Sequence, residues 1–283
     1  ATAVNQRWVG DITEIPTARG KLYVTLYGSF GATQVKAATA LGVMDLNNLA
    51  AGISSFVTLN VAANDTDANP DAGQLVACGD NLYVLLQDLD RNNGYKPVGP
   101  GRLAKLSLTN PTTASYIALT GENPTRMATY ANCDEALVAS AGDQLGGATT
   151  GKSGIERVDL KSGKSLGLVL TDTALGGNVS TMDAIDAQHV FVDVSTKSAT
   201  GYNNTVYTVN AMNATKGTAI LGPMSYVPSV RVLGAQLVVL SGSKAAAGQL
   251  KPGLYLGAAT GVSLPTEPID FDLPPSSVAL VSR

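Results

Sequence analysis

Arg157-Val158-Asp159-Leu160-Lys161-Ser162-Gly163-Lys164 alternates apolar and polar side chains, reaches Asp-Leu, and then breaks at a Ser-Gly turn. That is a half-buried strand ending in a hairpin signal. Upstream of it stands a second β-rich stretch, Ala136-Leu137-Val138, preceded by the turn residues Asn132-Cys133-Asp134. The same pair of strands recurs along the chain. Leu22-Tyr23-Val24, Leu82-Tyr83-Val84, Ala136-Leu137-Val138, His189-Val190-Phe191 and Leu237-Val238-Val239 follow one another at intervals of 60, 54, 53 and 48 residues. Downstream of each lies an alternating stretch that enters a polar turn: Val43 to Asn47, Lys105 to Thr109, Arg157 to Lys161, Thr208 to Met212 and Leu256 to Thr260.

Flanking strands complete the unit: Met127 to Thr129, Ser180 to Asp183 and Val230 to Leu233 before, and Tyr116 to Leu119, Leu166 to Leu170 and Thr218 to Leu221 after. Four short antiparallel strands per period of about 50 residues, without a convincing amphipathic helix, predict an all-β fold of the β-propeller type. One such sheet has two apolar faces and cannot bury both alone, so units stack until a ring closes. The best helical rival, Thr33 to Asn48, is broken by Gly42 and reads as loop and strand. We therefore expect five four-stranded blades over residues 16–283, with residues 1–15 as an extension or extra strand; six or seven blades are the alternative. The segment Pro274 to Val281 matches the first-strand pattern of Pro228 to Leu233 and lacks a following strand, so it is expected to pair beside Leu22 to Leu26 and close the first blade.

Leu82-Tyr83-Val84, and the strand, Asp-Leu and Gly-Lys turn of Val158 to Lys164, resemble the repeat of YncE-like (YVTN-type) and quinoprotein-like bacterial propellers. The resemblance implies the fold and an extracytoplasmic setting. It implies no active site.

Composition narrows the function. The 283 residues are 45% hydrophobic but 14% charged, with net charge −3 and 19 basic residues spread thinly. Average proteins carry about 25% charge, so the surface is built from Thr, Ser, Asn, Gly and Ala, as expected of a secreted, periplasmic or cell-surface protein. Nucleic acid is excluded as an expected partner because phosphate binding needs clustered Lys and Arg. The one histidine, His189, removes most triads and His-based metal sites and is read as structural. No run of about 18 apolar residues predicts a membrane span. The start, Ala1-Thr2-Ala3-Val4, has the form expected after removal of a signal peptide.

Two acidic stretches carry oxygen at alternate positions: Asp65, Asp67, Asn69 and Asp71, then Asp88, Asp90 and Asn92. Alternate carboxylates and amides can turn onto one hard cation, so a Ca²⁺ site is one reading and solvated polar loops the other. Neither stretch is a complete EF-hand loop, since Pro70 and Asn93 stand where glycine is needed. No other cofactor is expected. Cys78 and Cys133 hold near-equivalent places in neighbouring units, where a disulfide and two buried thiols are the alternatives. Gly146 to Ser153 fits the P-loop pattern, but Ile155 to Asp159 after it is a strand where a phosphate-binding helix would be required.

The connections after the second strands are expected to be long loops on one face: Gly28 to Ala40, Asp88 to Arg102, Ala141 to Ser153, Ser195 to Asn204 and Gly242 to Pro252. Lys36, Lys96, Lys152, Lys197 and Lys244 sit there as candidate partner-binding residues. The function expected is a non-enzymatic module that binds a protein or polymer at the cell surface. The alternative is a carbohydrate-active enzyme using carboxylates such as Glu14 and Asp183, or a lectin.

Overall fold

The computed structural model describes residues 12–14, 20–25, 40–143, 147–199, 201–242, 246–260, 264–271 and 275. The chain divides into two compact units, Ala1–Pro124 and Thr125–Arg283. In the first, β1 (Ile12–Glu14), β2 (Lys21–Thr25), β3 (Ala40–Asp45) and β4 (Ile53–Thr58) form an antiparallel sheet in sequence order. A second sheet joins β5 (Ala72–Cys78), β6 (Asn81–Leu86), β9 (Pro100–Ser107) and β10 (Ala114–Glu122), with the small hairpin β7 (Leu89–Asp90) and β8 (Lys96–Pro97) set between its second and third strands.

Strand β6 shows why such sheets stack. Leu82, Val84 and Leu86 pack with Tyr23, Leu41 and Val43 of the first sheet, and Tyr83 and Leu85 on the opposite face are buried as well. A strand covered on both faces is apolar almost continuously, which is the pattern of Asn81-Leu82-Tyr83-Val84-Leu85-Leu86.

The second unit repeats the arrangement. Strands β11 (Pro124–Tyr130), β12 (Glu135–Ser140), β13 (Gly154–Asp159) and β14 (Lys164–Thr171) form its first sheet, which leads into the single turn α1 (Asp172–Leu175). Then come β15 (Asn178–Ala184), β16 (Val190–Ser198), β17 (Gly201–Asn210) and β18 (Thr215–Met224). The last sheet contains β19 (Ser229–Leu233), β20 (Gln236–Ser241) and β21 (Gly253–Ala258), and Ile269 bridges to Leu254 through backbone bonds of 3.0 and 2.8 Å. Strand β16 divides two cores. Val190, Val192 and Val194 pack with Leu137, Ala139 and Ile155, whereas Phe191 packs with Val230, Leu237 and Val239.

One hydrogen bond recurs in every sheet except the small hairpin. The residue just past the third strand donates its N–H to the turn carbonyl before the second: Leu46 to Gly20, Leu108 to Asp80, Leu160 to Asp134, Ala211 to Ala187 and Ala259 to Ala235, at 2.7–2.9 Å. Leu108, Leu160, Ala211 and Ala259 are buried there. This accounts for the apolar residue that ends each alternating stretch of the repeat.

Two expectations are corrected. The edge of β2 opposite β3 is held by Ile12–Glu14, in register Ile12 with Val24 and Glu14 with Leu22. With both edges of Lys21–Thr25 paired, that strand has no place for Ser277 to Val281, residues that lie outside the described ones. The segment Ser195 to Asn204 is not a long loop but the outer part of a hairpin, in which Ser195 pairs with Asn204 and Ser198 with Gly201. Thr196 and Tyr202 favour extended backbone, and the ladder continues through them. The stretch Thr33 to Asn48 contains β3 followed by a 3₁₀ turn at Leu46–Ala51.

Candidate functional site

The acidic stretches Asp65 to Asp71 and Asp88 to Asn92 come together beside the second sheet. Residues 67, 69, 71, 88 and 90 are buried, although all are polar. Burying carboxylates requires partners, and the site separates them into two groups.

Asp71 and Asp88 are held by arginines. Arg91 donates through Nε to Asp71 Oδ1 at 3.1 Å and through Nη2 to the same oxygen, and the Leu89 N–H donates to Asp71 Oδ2 at 3.0 Å. Arg102 binds Asp88 with both arms of its fork, at 2.7 and 2.6 Å, donates to the Asn60 carbonyl at 2.9 Å, and lies 5.5 Å from the Tyr116 ring. Tyr116 in turn accepts the Asn60 N–H at 2.8 Å. Burial pushes the Asp71 carboxyl up to about 6 against the pull of Arg91. Asp88 is likewise raised by burial and opposed by Arg102. These forked pairs fix the loop ends on the sheet.

Asp65, Asp67 and Asp90 are brought to a common point, with one carboxylate oxygen from each lying within 4.8 Å of the others. Local backbone supports them. Asp65 accepts the N–H groups of Asp67 and Asn69 at 3.0 and 3.1 Å, Asp67 accepts those of Asn69 and Arg91 at 2.9 and 2.7 Å, and Asp90 accepts the Thr66 hydroxyl and the Asn92 N–H. The Asn69 side-chain oxygen accepts the Asp71 N–H at 3.1 Å, and the Asn92 amide donates to Thr66 Oγ1 at 3.3 Å. Burial raises the Asp65 carboxyl and the neighbouring Asp67 charge adds to the rise, while Arg91 Nε, 3.9 Å from Asp67 Oδ2, offsets part of the negative charge gathered there. Three carboxylates at this spacing are a hard-cation donor set, which other oxygens or water would complete. Which carboxylates take hydrogen bonds from arginine was not readable from alternation alone, because Asp71 meets its partner twenty positions away.

The remaining candidates are placed as follows. Neither Cys78 nor Cys133 is free; the two are disulfide-bonded. In the P-loop-like stretch the anion is internal: Asp172 accepts the N–H groups of Thr150 and Gly151 at 2.9 and 2.7 Å and the Ser153 hydroxyl at 2.8 Å. His189 is exposed and its Nδ1 lies 2.9 Å from Asp186. Asp183 accepts the Val232 N–H at 2.8 Å and pairs with Arg231 at 3.3 Å, tying β15 to β19. Lys96, Lys152 and Lys197 are exposed, and Lys197 packs its stem over Gly147. Lys36 and Lys244 lie outside the described residues. Among the described residues no helix is long and apolar enough to cross a membrane.

No protein-family model matches the chain, and no curated protein matches it. Solved structures do. Hydrazine synthase of Kuenenia stuttgartiensis aligns over 84% of this chain and 60% of its own at 9% identity and TM-score 0.57. The propeller of Dos1 aligns over 87% of this chain and 58% of its own at 11% identity and TM-score 0.56. A luciferin-regenerating enzyme covers 84% of this chain and 71% of its own at 13% identity and TM-score 0.55. The chain thus spans less than two thirds of the hydrazine synthase chain and of the Dos1 chain. At such identities the likeness shows a fold of the β-propeller type.

Proposed function

We propose that the chain is an extracytoplasmic, non-enzymatic binding module on a five-bladed propeller, and that Asp65, Asp67 and Asp90 hold Ca²⁺ beside its partner-binding loops. The observation that carries this reading is the convergence of those three carboxylates in a connection already pinned by Asp71–Arg91 and Asp88–Arg102. An ion there would stiffen the exposed hairpin that carries Lys96 and so present a fixed surface to a protein or polymer at the cell surface. The disulfide is consistent with an oxidising compartment. The engagement of Asp183 by the Val232 N–H and Arg231 supports a structural use of one acid that the enzymatic alternative would need.

The first test is a Ca²⁺ titration of the melting curve. A ligand at 100 times its Kd adds about 2.7 kcal/mol to stability, so Ca²⁺ should raise the melting temperature and chelator should reverse it. Asp67→Asn combined with Asp90→Asn should abolish the response. Identical curves in Ca²⁺ and chelator would dispose of the ion site. For the partner, crosslinking in the producing cell should place contacts on Asp88 to Arg102 and Ala141 to Ser153; capture that survives shortening of both loops would move the interface elsewhere. Glycan hydrolysis that is lost on Asp183→Asn would overturn the non-enzymatic reading.

A further inference from the structure

A second group of buried oxygens lies in the other unit, on the face of β15 and β16 that carries Phe191. Asp193 follows Phe191 by two positions on a regular ladder and therefore shares its face, and Thr181 is its direct partner across the strands. Asn178 pairs with Ser195, two positions further along the same face, after a register shift at Ser180. Asp193, Thr181 and Asn178 are 0%, 2% and 4% exposed. Ser180 donates its hydroxyl to Asp193 Oδ2. Among the described residues, Asp193 Oδ1, Thr181 Oγ1 and Asn178 Oδ1 have no hydrogen-bond partner within the protein.

The opposing sheet buries a further oxygen on the side that packs against Phe191. Leu237 and Val239 pack in one core with Phe191, and Ser241 follows them in the two-residue alternation of β20; its hydroxyl is also fully buried and, among the described residues, unpartnered. One carboxyl, two hydroxyls and one amide oxygen thus lie buried on the facing sides of two sheets that share the Phe191 core. Leaving several such atoms unmatched is costly, and native interiors resolve this with partners, water or ions. Burial pushes the Asp193 carboxyl up to about 8, opposed by the Ser180 bond, and among the described residues no cationic side chain contributes to its environment.

We propose that Asn178, Thr181, Asp193 and Ser241 form a buried binding site for an alkali-metal cation, with sodium as the probe. An all-oxygen donor set selects a hard ion over one that prefers nitrogen or sulfur. Charge balance selects the valence. A monovalent ion that takes the place of the Asp193 proton leaves the site neutral, whereas a divalent ion would leave a net positive charge in the interior, which is expensive. The site is independent of the Ca²⁺ reading, since it uses one carboxylate in a different sheet.

The experiment is thermal unfolding of the full chain with divalent ions chelated, sodium being exchanged for choline at constant ionic strength. Sodium should raise the melting temperature, each tenfold increase well above the Kd adding about 2 °C. ²³Na line broadening on adding protein gives the direct reading. Asp193→Asn and, as a milder change, Thr181→Val should each abolish both effects. Equal melting in sodium, potassium and choline, or an undiminished sodium response in both variants, would overturn the proposal by leaving only water or a proton there. A Ca²⁺ response that persists in Asp193→Asn belongs to the acidic loops and does not enter this result.

Discussion

Asp172 shows how one side chain converts a misleading motif into structure. A glycine-rich turn presents amides that suit an anion, and the chain supplies that anion itself from α1, only 1% exposed. Burial alone would raise the carboxyl, but the Thr150 amide, the Ser153 hydroxyl and the Gly151 amide together hold it below its usual value. The sign follows from this depression. The stabilisation is fully present above the ordinary carboxylate range near pH 4 and is lost as the pH falls through the folded value. Asp172→Ala should cost about 3 kcal/mol at pH 7, because it strands two amides and a buried hydroxyl. The gap from the parent should narrow below pH 4, which denaturant titration at several pH values will measure. A constant gap would mean that the loss comes from packing and not from the charge.

At the scale of elements, the repeat was legible because it is local. Strand alternation and the Leu or Ala that ends it are written within a few neighbouring residues and recur in each unit, so the positions that bond as Leu108 does to Asp80 and Leu160 to Asp134 could be marked without knowing the contact itself. The arginine partners of Asp71 and Asp88, the pairing of Ile12–Glu14 on β2, and the burial of Asp193 depend on contacts that alternation does not encode. Gly154 illustrates a constraint visible only in the folded pair of strands. It has φ of +134°, and a Cβ there would stand 2.1 Å from the Leu170 carbonyl oxygen, against the backbone of β14. Neither strand can yield without breaking the register of Gly154 with Thr171. Gly154→Ala should therefore destabilise by about 3 kcal/mol or more, whereas Gly163→Ala, at a turn with open space around its Cβ position, should cost about 1 kcal/mol for its φ of +69°. Comparable losses at the two sites would show that β13 and β14 do not approach as closely as this.

On the scale of the whole chain, the disulfide is the feature with the most direct thermodynamic reading. It closes the segment from Cys78 to Cys133 into a loop, which restricts the unfolded chain whatever else it does. For a loop of this length the chain-entropy relation gives about 4 kcal/mol, an upper figure because unfolded chains retain structure. Denatured, non-reduced protein should show no titratable thiol, and after reduction it should show two. Cys78→Ser with Cys133→Ser should lower the denaturant midpoint while leaving the slope of the transition higher, since the uncrosslinked chain exposes more surface on unfolding. The slope separates the two possible origins of a stability loss: if the midpoint falls and the slope stays at the parent value, the cysteines stabilise through contacts in the folded state, and the entropic account fails. Two reactive thiols in the parent would go further, removing the disulfide and with it the structural support for an oxidising compartment.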